Sequence, residues 1–236
     1  MASHNFVLMG FLSRTYEAIS DWVKGLVYRI IGRSEEWEQK REIIREKRKY
    51  TDLLVNSEIQ YEPEEPDKLL ALQATAYLKE RFPDGILPTL IGMSVDERML
   101  MYQEMVEEIR CLFEVDKIKF EIKYPETEEE FKSMTLGFYN HEENLLCLNG
   151  AFIECDNPML WEEMVFALFH EMKHARQYSA VDKTHDYGYS DDLLKIWKYN
   201  MVVYIEPSEC DEAYRKQAIE RDAFGLVDMI RENFEN

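Results

Sequence analysis

Hydrophobic and polar positions alternate with two different periods along this chain. Leu12, Tyr16, Ile19, Val23, Leu26 and Ile30 recur at helical spacing and predict an amphipathic helix over 10–31. Gly32 stops that helix, and Ser34 can cap a charge-rich one over 35–49, laced by ion pairs four residues apart. Such a helix can also serve as a docking arm. The Pro- and Glu-rich stretch within 56–67 breaks the pattern. Helical spacing resumes over 68–82, with Leu70, Ala74, Tyr77 and Leu78 on one face, and ends at Pro83-Asp84-Gly85. Ser94 and Glu97 form a capping box that opens a helix to about residue 113.

The period then changes to two. Ile118, Phe120, Ile122 and Tyr124 fall on one face and Lys119, Glu121 and Lys123 on the other, as in a half-buried strand. Residues 135–139 and 144–149 flank the turn Asn140-His141-Glu142-Glu143 and predict a hairpin. It is either a plain structural hairpin or an edge to which an extended peptide can add. Asn157-Pro158 starts a helix that is apolar nearly all round from Trp161 to Met172, as in a helix that runs through a core. Residues 182–191 read as a loop and 193–204 as a helix. A single closing helix is expected from Pro207-Ser208 to about Phe234.

A length of 236 residues suits one sizeable core, or a catalytic domain with a small appendage. The break divides the chain into an N-terminal helical appendage, 1–60, and a domain, 61–236. The formal net charge of −19 argues against a nucleic-acid partner. It is uneven: residues 1–50 carry ten Lys/Arg against seven Asp/Glu, a balance of +3, which leaves −22 for the remainder. No apolar run is long enough to span a membrane. The short run 6–12 lacks the basic lead and small-residue cleavage site of a signal peptide. Cys111, Cys147, Cys155 and Cys210 show no close pairing and are expected to be free thiols in a reducing cytoplasm.

His170, Glu171 and His174 change the picture. They spell H-E-x-x-H on the apolar helix, which puts two imidazoles on one face, able to grip one metal ion. Glu171, one position round, can reach a water on that ion. Two neutral imidazoles and a carboxylate suit zinc, with a fourth position left for water. A buried helix with incidental histidines is the bland alternative, but buried imidazoles and a carboxylate need partners, and a metal supplies them. Gln177 and Ala180 stand where H-E-x-x-H-x-x-G-x-x-H needs Gly and His, so that pattern is excluded. The remaining common solution for the third ligand is a carboxylate of the closing helix, which offers Glu209, Asp211, Glu212, Glu220 and Asp222. Glu220 sits among Ala213, Lys216, Gln217, Ala223, Phe224 and Val227, and pairing with Lys216 is its alternative role. Asp222 has an equally apolar setting, and periodicity does not choose between them. Tyr178, His185, Tyr187 and Tyr189 are unranked candidates for stabilising an oxyanion. His141, in the hairpin turn, reads as solvent-exposed.

Residues 169–177, the hairpin with Gly137 and Tyr139, and residues 214–224 together resemble the ImmA/IrrE-like zinc metallopeptidases of the thermolysin-like group. The resemblance covers roughly 95–230. It implies a helix-rich, zincin-like α+β fold with a small, mostly antiparallel sheet, preceded here by N-terminal helices. It also implies that Glu220 is the third zinc ligand, with Asp222 supporting it from outside. Peptide-bond hydrolysis of a protein or peptide substrate follows, with Glu171 as general base. The chain departs from that family in having no recognisable DNA-binding module. The rival expectation is a non-catalytic protein in which zinc joins two helices while the N-terminal helices bind a partner; a hydrolase of non-peptide amides is a third. The sequence leaves the oligomeric state open.

Overall fold

The computed structural model describes residues 34–59, 61–127 and 135–236. The expected helix over 10–31 lies outside them. Helix α1 (Ser34–Val55) carries the spaced ion pairs its sequence implies, such as Lys40 to Glu36 at 3.1 Å, and stacks Arg41 over Trp37. Up to Leu53 it belongs to one unit of the chain, and residues 54–236 form a second, compact unit.

That unit is the expected helix-rich α+β arrangement. Helices α2 (Glu65–Arg81), α3 (Ile86–Ile91) and α4 (Val95–Leu112) are followed by strands β1 (Lys119–Lys123), β2 (Gly137–Asn140) and β3 (Leu145–Asn149). Then come α5 (Gly150–Glu154), α6 (Pro158–Val181), α7 (Asp191–Val202), α8 (Asp211–Lys216) and α9 (Ala218–Glu235). The capping box forms as read: Ser94 Oγ accepts from Glu97 N–H, and Glu97 Oε2 accepts from Ser94 N–H at 2.7 Å. The short helices α3 and α5 were not expected. Gly85, at φ 97°, supplies the left-handed residue before α3, and Asn149 caps α5 through Ala151 N–H.

The sheet differs from expectation in one respect. Its order is β1-β3-β2; β2 pairs antiparallel with β3, but β1 pairs parallel with it, so the sheet is mixed. Period two located β1 but carried no information on which side of the hairpin it would join. Strand β3 is central, and all five of its residues are buried. Strand β2 is left at an edge, against α6.

The core joins Leu70, Ala74 and Leu78 of α2 to Tyr102, Met105 and Ile109 of α4, to Leu168, Phe169 and Met172 of α6, and to Leu226 and Ile230 of α9. On another side of α6, two cations are buried. Lys173, with no exposed surface, pairs with Asp67 of α2, hydrogen-bonds the Tyr189 hydroxyl at 2.9 Å and faces the Trp197 ring at 4.8 Å. Arg176 donates to the Phe113 carbonyl at 2.6 Å and to the Tyr189 hydroxyl at 3.2 Å. These contacts fix the rotation of α6 about its own axis. Removing one partner of a buried pair strands the other without water. Asp67→Ala is therefore expected to lower unfolding free energy by about 3–5 kcal/mol, measured by denaturant titration.

Candidate metal centre

Helix α6 is 24 residues long and begins where Asn157 accepts a hydrogen bond from Met159 N–H at 3.2 Å. Its period places His170 and His174 one turn apart, deep in the unit. Their Nε2 atoms are 3.1 Å apart, with the rings edge to face. The third donor comes from α9. Glu220 Oε1 lies 3.3 Å from His174 Nε2, and its Oε2 lies 3.3 Å from His170 Nε2. These three residues can hold a metal ion, and no fourth His, Cys, Asp or Glu joins them among the described residues.

Glu220 arrives there because the expected closing helix is two helices. Gln217, with ψ 138°, separates α8 from α9. Its carboxamide is tied to Ile205, accepting from the N–H at 3.1 Å and donating to the carbonyl at 2.8 Å. Asn200 Oδ1 then takes Ile219 N–H at 3.1 Å, satisfying one of the unpaired donors at the start of α9. Glu220 consequently falls in a first helical turn, where the helix dipole favours an anion. Lys216 is engaged with Glu212 at 2.7 Å, so the alternative i,i+4 pair with Glu220 does not form. Asp222 is directed elsewhere: its Oδ2 accepts from Trp197 Nε1 at 2.8 Å and its Oδ1 from Arg221 at 2.9 Å.

The donor set fits a divalent ion. Zinc bonds of about 2.0–2.1 Å to nitrogen and oxygen imply tetrahedral edges of about 3.3 Å, close to the 3.1 Å between the two imidazole nitrogens and to the 3.3 Å from each of them to a different oxygen of Glu220. Glu220 Oε2 is buried and accepts no hydrogen bond, an arrangement that costs free energy unless a cation faces it. Burial opposes ionisation of Glu220, but the two imidazoles hold its carboxyl well below the usual range. Burial likewise opposes protonation of His174, yet the Glu220 carboxylate pushes its pKa up to about 9.

Glu171 lies beside the donors without being one of them. Burial raises its carboxyl pKa, and the Glu220 charge adds to the shift. His170 and His174 oppose the rise, as does the backbone N–H of Tyr139, on β2, which faces the carboxylate. Gly137 permits β2 to lie close against β3. A Cβ there would come within 2.7 Å of the Cys147 carbonyl and 3.7 Å of Glu171 Cγ.

Of the four oxyanion candidates, three are occupied elsewhere. Tyr189 binds Asp67 and Lys173, Tyr187 donates to the Glu114 carbonyl at 2.9 Å, and His185 faces Glu114 at the surface. Tyr178, one turn beyond His174, is half-buried. Its ring stacks on His141 at 4.1 Å, and its pKa is raised by burial and by the Glu220 charge. Two tyrosines absent from the sequence reading reach the centre. Tyr204 donates to Glu220 Oε1 at 2.6 Å, and burial and the Glu220 charge push the pKa of Tyr214 up. Only tertiary folding brings them there. Gln177 was overlooked in a different way: its Oε1 lies 2.8 Å from His174 Nδ1, a three-residue spacing visible in the sequence.

No protein-family model matches the chain, and no curated protein or solved structure matches it.

The pH response of metal-free protein follows from His174. Its folded pKa, about 9, exceeds the ordinary 6.5, so its stabilising contribution is complete below pH 6.5 and lost as pH rises through 9. The loss is on the order of 3 kcal/mol. Thermal midpoints of chelated protein are expected to fall across that window. Those of metal-loaded protein, where an ion takes the proton's place, are expected to hold.

Proposed function

We propose that this chain is a zinc-dependent metallopeptidase of the thermolysin-like, ImmA/IrrE-like kind, acting on a protein or peptide substrate. The observation that carries the reading is the composition of the centre: three converging donors, with a buried carboxylate beside them. A zinc ion that only braces helices usually has four protein ligands, and it has no use for an adjacent base. His170, His174 and Glu220 would hold the ion. Bound there, zinc supplies a water acidified toward neutrality and a Lewis acid for a carbonyl.

The chain's own groups do the rest. Glu171, buried and raised in pKa, takes a proton from the attacking water and delivers it to the leaving amine. Tyr139 N–H orients that carboxylate. Tyr204 holds Glu220 in place through its Oε1. Strand β2, at the edge of the sheet among the described residues, suits an extended peptide laid beside Glu171. A reducing cytoplasm belongs to the same reading and agrees with four free cysteines. Among the described residues no helix is long and apolar enough to cross a membrane.

Glu171→Gln removes the base while leaving all three donors. The variant is expected to retain zinc at wild-type stoichiometry and to lose cleavage by at least a hundredfold, the usual scale of a general base. The check is a proteome-wide comparison of cleavage products in cells expressing either form, with zinc content measured in parallel. Identical product sets from both forms contradict the proposal.

A further inference from the structure

We infer that Gln177 is a positioning residue of the metal centre, which sets the ring orientation of His174 and ties it to the turn carrying Glu220. This rests on the reading that the three donors hold a divalent ion, and it is independent of whether the protein hydrolyses anything.

The two ends of the Gln177 carboxamide can be told apart from their surroundings. The side chain has no exposed surface, so water cannot serve either end. One end lies 2.9 Å from the main-chain carbonyl of Ile219, a group that can only accept. That end must be the NH₂, because the reverse orientation would set two carbonyl oxygens against each other. The other end, 2.8 Å from His174 Nδ1, is then the oxygen, so Nδ1 carries the hydrogen. In the neutral ring that would bind a metal, the lone pair of His174 is thereby left on Nε2, the atom that faces His170 and Glu220.

The same carboxamide acts on the other half of the centre. Ile219 immediately precedes Glu220, and its main chain is held at both its N–H and its carbonyl. Gln177 takes the carbonyl, and Asn200 takes the N–H at 3.1 Å. One buried amide on α6 thus orients a ligand of its own helix and anchors the backbone from which the third ligand projects. Partners that hold a ligating histidine by its second nitrogen generally account for ten- to a hundredfold in metal affinity.

The test uses full-length wild-type, Gln177→Met and Gln177→Glu. Zinc affinity is measured by chelator competition, and the His174 ring by nitrogen-15 NMR of zinc-loaded protein. Methionine keeps the length and removes both hydrogen bonds; glutamate keeps an acceptor for Nδ1–H. The expected results are a ten- to a hundredfold loss of zinc affinity in Gln177→Met, and a slowly exchanging Nδ1 proton in wild type and Gln177→Glu that is lost in Gln177→Met. Unchanged affinity in Gln177→Met, with wild type binding zinc normally, overturns this inference and leaves the metal centre standing. Failure of wild type to bind zinc removes both. Should Gln177→Met not fold, the zinc-loaded wild type still decides, because a His174 ring without a protected Nδ1 proton contradicts the assignment.

Discussion

An ionised carboxylate sealed in the protein interior, facing two imidazole nitrogens, is the constraint around which residues 54–236 are arranged. Glu220 has almost no exposed surface, and one of its oxygens accepts no hydrogen bond. Left alone, such a group would be expelled to solvent or protonated. Proximity to His170 and His174 keeps it charged, and the first turn of α9 adds a favourable dipole. In metal-free protein a proton shared with His174 can balance that charge. A divalent ion balances it better, because it serves all three donors together.

Holding such a site requires that α6 neither rotate nor slide. Different faces of one helix meet that need by different means. Leu168, Phe169 and Met172 fill the core. Lys173 and Arg176 bind Asp67, Tyr189 and the Phe113 carbonyl, so that displacing the helix would strand buried charge. The donor face then opens toward α9 and β2. The edge strand brings Tyr139 N–H to face Glu171, and Gly137 lets that strand lie against β3, where a Cβ would meet the Cys147 carbonyl at 2.7 Å.

Much of this was legible in the chain, for reasons specific to each element. The hairpin, β1, the capping box at Ser94 and the Asn157-Pro158 start of α6 are local signals, and each forms where its residues indicate. The break at Gln217 was illegible because its cause is nonlocal: the Gln217 carboxamide pairs with Ile205, and Asn200 caps the restarted helix. Without that break, periodicity could not separate Glu220 from Asp222. With it, Glu220 turns inward and Asp222 turns to Trp197 and Arg221. The parallel pairing of β1 was hidden for the same reason, since a strand's period does not name its neighbour. Tyr204 and Tyr214 reach Glu220 only through the path of the chain between α7 and α9.

The central claim is that His170, His174 and Glu220 share one cation. Metal analysis of purified full-length protein, joined to X-ray absorption at the zinc edge, tests it most directly. The account predicts about one zinc per chain with nitrogen and oxygen donors at about 2.0–2.1 Å and no sulfur, and loss of that zinc in Glu220→Ala but not in Asp222→Ala. Protein that folds, retains no metal and takes up none when zinc is supplied would contradict it, as would a zinc shell containing cysteine sulfur.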